Sequence, residues 1–104
     1  MEDTEIMRKV CSQIDGMKEE IIGVLQELVR IPSVVGQEEQ AQNYVEQIYR
    51  SLGLEVIILS PNIEKVRGHP SFIDTGMSYE GRQNVIGILS GNPGSPSIIL
   101  NGHI

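Results

Sequence analysis

The chain has 104 residues, of which 39% are hydrophobic and 21% charged, a balance that argues against disorder and suits one domain with a packed core. Its net charge of -6 argues against nucleic acid, whose phosphates reward lysine and arginine through counterion release. The single cysteine, Cys11, can form no internal disulfide, no apolar run reaches the ~20 residues of a spanning helix, and residues 1–13, acidic and without a sustained apolar core, are not expected to be a secretory signal. The expectation is a cytoplasmic protein without membrane or nucleic-acid partners, in which Cys11 packs as a small apolar group.

Ile6, Val10, Ile14, Met17, Ile21, Leu25, Leu28 and Val29 recur at three or four residues and predict helix from the start of the chain to Arg30. Asp15-Gly16 interrupts that pattern. Asp15 is a candidate cap for a second helix near Met17, so one helix or two both remain open. Pro32 ends the pattern, because it lacks an amide donor and biases Ile31 out of the helical region. After a connector at 33–36, Glu38 and Glu39 suit a first helical turn. Ala41, Tyr44, Val45, Ile48 and Leu52 then continue as an apolar stripe, with Gly53 placed for a left-handed cap.

Residues 54–59, rich in β-branched side chains, predict the first strand, closed by Ser60-Pro61. The polar stretch 62–83 is punctuated by Gly68, His69-Pro70, Asp74-Thr75-Gly76 and Gly81, and predicts a long irregular loop. Residues 84–90 predict a second strand, 91–96 a turn, and 97–101 a third strand that pairs with the second as a hairpin and delivers His103 beyond its end. Helices and apolar strands in this order predict an α/β fold with helices packed on a mixed sheet.

Several chemistries drop out on motif grounds. The chain contains no G-x-x-x-x-G-K phosphate loop, no G-x-S-x-G nucleophile elbow and no H-E-x-x-H pair. Cys11, His69 and His103 are its only sulfur or imidazole donors, and they are far apart in sequence. A catalytic zinc needs three protein ligands, so they make no site by spacing alone. His69, in a loop before Pro70, reads as a solvated surface residue. Arg82 and Asn84 read as a loop anchor and a strand opener.

Five landmarks nevertheless stand in order: Ile31-Pro32-Ser33; Glu38-Glu39; Gly53-Leu54-Glu55-Val56; Gly81-Arg82-Gln83-Asn84-Val85-Ile86-Gly87; and Ile99-Leu100-Asn101-Gly102-His103. Together they resemble the zinc-dependent amidohydrolases typified by acetylornithine deacetylase, succinyl-diaminopimelate desuccinylase, aminoacylase and related carboxypeptidases and dipeptidases. The resemblance runs from about residue 20 to residue 104 and covers the beginning of that family. It implies a zinc-exopeptidase-like catalytic domain in which His103 is the first ligand of a two-metal centre, with zinc expected and cobalt or manganese conceivable.

The resemblance implies hydrolysis of an amide in N-acyl amino acids or small peptides, with metals acidifying a water and a glutamate taking its proton. The family's aspartate after the histidine, its bridging carboxylate, the general base and a second, smaller domain would lie downstream of Ile104. Residues 1–104 are thus expected to be the N-terminal part of the catalytic domain, with no catalytic residue of their own and no activity alone. The alternative is a complete small α/β module that binds a partner without catalysis.

Overall fold

The computed structural model describes residues 2–104, which fall into two compact units, 2–31 and 32–104. The first unit consists of two helices. α1 spans Glu2–Gly16 and α2 spans Lys18–Arg30, which resolves the open question in favour of two helices with one residue between them. That residue, Met17, has ψ of 6°, yet its N–H still reaches the carbonyls of Gln13 (3.1 Å) and Ile14 (3.0 Å) and its own carbonyl accepts from Ile21. Asp15 lies inside α1, and no side chain caps α2, so the capping role expected of it is not realised.

Neither helix buries a single residue. Cys11 is exposed, which corrects the expectation that it packs as an apolar group. α2 ends where Pro32 requires, with Ile31 already extended at ψ 119°.

In the second unit, α3 (Glu39–Ser51) carries the apolar stripe read from the sequence, and Ala41 on it is fully buried. Its end is a Schellman motif. The N–H of Leu54 donates to the Tyr49 carbonyl (3.1 Å), that of Gly53 to Arg50 (3.0 Å), and Gly53 adopts φ of 74°, where glycine alone escapes a Cβ penalty. This turn sends the chain directly into β1 (Glu55–Leu59).

β1 pairs antiparallel with β2 (Asn84–Ile88), with Val56 opposite Gly87 and Ile58 opposite Val85. Those four residues point to the half-buried side of the sheet, and α3 packs across both strands. A Cβ placed on Gly87 would stand 2.7 Å from the Tyr49 ring and 2.8 Å from Leu54, so glycine there is what lets α3 and its cap close onto β2. Ile57, Leu59, Ile86 and Ile88 point the other way and are exposed.

Two expectations about the sheet are corrected. Among the described residues it is a two-stranded antiparallel ribbon and not a mixed sheet, and β2 pairs with β1, with no hairpin to residues 97–101. Residues 97–101 form no strand, and Ile98, Ile99 and Leu100 are 82%, 90% and 87% exposed. An apolar run becomes a strand only against a ladder partner, and this one, entered through Pro96 with no amide to donate, has none.

The long polar stretch is less irregular than its composition suggests. A short helix, α4 (Ile63–Val66), opens it, with the Asn62 side chain accepting from the Lys65 N–H. Asp74 then accepts from Arg67 (3.1 Å) and from the Gly76 N–H (2.9 Å), pinning the middle of the loop. No described helix is long and apolar enough to cross a membrane.

The close approach at Gly87 makes a direct prediction. Gly87→Ala should lower the unfolding free energy by about 1–3 kcal/mol, the usual cost of overpacking. Gly91→Ala, whose Cβ would meet nothing within 4 Å, should change it far less. Urea unfolding of both variants checks the contrast.

Candidate functional site

The best-formed polar feature lies where the start of α3 meets the approach to β2. Glu38 is the residue preceding α3, in a helical conformation (φ −78°, ψ −9°), and its carboxylate does not cap the helix. The carboxylate turns back instead. Oε1 accepts from the Gly36 N–H at 2.9 Å and from Arg82 Nη2 at 2.9 Å, while Oε2 accepts from Arg82 Nε at 3.0 Å.

The result is a bidentate pair between residues 44 apart in sequence, with side chains only 12% (Glu38) and 21% (Arg82) exposed. Glycine makes both ends of it possible. Gly36, at φ 91°, turns the chain so that its N–H faces Glu38, and Gly81, at φ 74°, turns it just ahead of Arg82. The Arg82 guanidinium also lies over the Tyr79 ring, 4.9 Å from its centroid, which fixes its plane from a third side.

The Gly36 N–H, followed by the Arg82 guanidinium, holds the Glu38 carboxyl below the ordinary glutamate range. Both partners stabilise the charged form through hydrogen bonds. Glu38 is therefore a fixed anion at neutral pH. With both oxygens engaged, it is a structural acceptor and not a free base or ligand.

This pair forms one wall of a half-open cavity of about 430 Å³. Gln42, Gln83 and Asn84 add polar lining, and Gly102, His103 and Ile104 close its edge. His103 thus stands at the rim of a polar cavity, on an irregular and exposed segment, and not at the end of a strand as the sequence suggested. Its neighbourhood supplies one imidazole and a carboxylate already committed to Arg82. Among the described residues no three histidine, cysteine or acidic side chains come together as a metal site. The residues present do not by themselves fit a zinc ion, because a preformed site requires several converging donors.

His69 lies outside the cavity lining, exposed, with Nδ1 accepting from the Ser71 N–H at 3.1 Å. Arg82 does anchor its loop, and Asn84 opens β2, as the sequence implied. Sequence reasoning missed the partner of Arg82: Glu38 read as a helix-start acid, and nothing local marks two charges so far apart as a pair. The only available signal was that each lies within two residues of a glycine at a predicted turn.

The chain matches no family model, and no curated protein or solved structure matches it.

The lowered Glu38 value carries a pH dependence of known sign. The pair's contribution to stability is complete above the ordinary glutamate value of 4.5 and is lost as the pH falls through the lower value of the folded protein. Glu38→Gln should therefore be less stable than the parent at pH 7, with the difference closing in strong acid. Denaturant titrations of both chains from neutral to acid pH check this, and a gap independent of pH would contradict it.

Proposed function

We propose that residues 1–104 form the leading part of the catalytic domain of a metal-dependent amidohydrolase that cleaves amide bonds in N-acyl amino acids or small peptides in the cytoplasm. The observation that carries this reading is the sheet. α3 lies on one face, and on the other Ile57, Leu59, Ile86 and Ile88 stand exposed, with Glu55 and Asn84 as the polar residues at the ends of that face. A sheet apolar on both faces belongs between two layers, as in α/β domains larger than this one. The exposed run 98–100 has the composition of a further strand and leads directly to His103.

The ordered landmarks from Ile31-Pro32-Ser33 to Gly102-His103 supply the family. Within that reading the metal, zinc first, supplies Lewis-acid activation of water when bound, with its other donors provided from outside the described residues. What this chain contributes is narrower. Glu38 and Arg82 fix one wall of the cavity, and His103 offers an imidazole at its rim. A neutral imidazole is a good zinc donor, but one alone in water holds the ion weakly.

Zinc content and hydrolysis of N-acetyl amino acids and dipeptides test the reading, measured on the 104-residue chain and on the product of the whole coding region. The whole product should hold about two zinc ions and hydrolyse one of these substrate classes. His103→Ala should remove both properties, and the 104-residue chain should show neither. Hydrolysis by the 104-residue chain would place the machinery inside it and refute the assignment. A whole product without zinc or hydrolysis would leave the exposed apolar faces as the docking surface of a non-catalytic module.

A further inference from the structure

The cavity beside the Glu38–Arg82 pair is lined by polar groups that the fold leaves unspent. A guanidinium presents two hydrogen-bonding edges, and the Glu38 carboxylate occupies one of them, accepting from Nε and Nη2. The other edge, the N–H groups of Nη1 with the second of Nη2, has no partner among the described residues. No buried side-chain nitrogen among those residues lacks a partner, so Nη1 reaches solvent, and Arg82 is part of the cavity lining. Three carboxamides share that lining: Gln42, Gln83 and Asn84. Each carries both donors and an acceptor, and none is spent on another described side chain.

Charge decides what class of ligand these groups select. Arg82 is the only lysine or arginine of the lining, and Glu38 is its only acidic side chain. Glu38 has both oxygens engaged and its charge matched by the pair, so it offers nothing to a cation. The free edge of Arg82 is a planar fork, which matches two oxygens on one centre. A phosphate would fit the fork as well, but its second charge calls for a second cation, which the lining lacks. A carboxylate brings a single charge. The carboxamides beside it suit an amide, which like them both gives and accepts a hydrogen bond.

We propose that the free edge of Arg82 binds the carboxylate of a small N-acyl amino acid, with the carboxamides of Gln42, Gln83 and Asn84 meeting its amide. The choice of an N-acyl amino acid rests on the amidohydrolase reading, whereas the preference for a carboxylate rests on Arg82. Arg50 supplies an internal control. It presents the same Nε and Nη2 edge to Glu46, but outside the cavity.

Heteronuclear NMR of the arginine and carboxamide side chains in the 104-residue chain tests the proposal, with N-acetylglycine, N-acetylglycinamide and inorganic phosphate as titrants. N-acetylglycine should shift the Arg82, Gln42, Gln83 and Asn84 side-chain signals saturably and leave Arg50 in place. N-acetylglycinamide and phosphate should bind at least about tenfold more weakly, the scale of one charge-assisted hydrogen bond. Arg82→Lys, which keeps the charge and loses the fork, should weaken N-acetylglycine by a similar factor. Because that variant also disturbs the contact with Glu38, the comparison of titrants on the parent chain is decisive. Acid and amide binding equally, phosphate binding as tightly as the acid, no shift at Arg82, or shifts at Arg50 as large as at Arg82 would each overturn the proposal. Saturable binding at Arg82, together with a whole product that hydrolyses nothing, would support the subsite and refute the amidohydrolase reading. Hydrolysis without any shift at Arg82 would refute the subsite alone.

Discussion

The second unit depends on one bidentate contact, between the Glu38 carboxylate and the Arg82 guanidinium. Local structure builds the pieces on either side of it: α3 with its Schellman end leads into β1, and β2 pairs back on β1. What joins the approach to α3 with the approach to β2 is the pair, reinforced by the Gly36 N–H on one partner and the Tyr79 ring on the other. Surface ion pairs such as Lys9–Glu5 add little, because water screens them and two long side chains must be ordered. This one is largely withdrawn from solvent, planar and held by three hydrogen bonds, so loss of either member leaves the other charge poorly solvated.

The pair also shapes what the cavity can do. A carboxylate so fully occupied is a wall, and the Arg82 guanidinium commits its Nε and Nη2 edge to it. His103 is the one imidazole of the described lining.

Local features were legible in the sequence because their causes are local. Pro32 stops α2, Gly53 caps α3, and the β-branched run after it forms β1, each by a rule acting over a few residues. The pairing of strands was not legible, because adjacency in sequence suggested β2 with 97–101 while the ladder forms between β1 and β2 across the long polar loop. Residues 97–101 have strand composition without a strand, since composition supplies propensity and only a partner supplies hydrogen bonds. The same reasoning explains the polar pair: Glu38 with Arg82 is a product of tertiary closure, which no local motif marks. Exposed Cys11 and the bare apolar stripe of α1 share one cause, for a helix stripe is buried only when something covers it.

The most direct measurement of this account is a double-mutant cycle on Glu38→Gln and Arg82→Gln, read as unfolding free energy of the full chain at pH 7. If the pair closes the unit, the two losses are strongly non-additive, and the double variant is no less stable than the worse single one. Additive losses, or single variants as stable as the parent, would show that the strands and α3 hold together without it and would contradict the account.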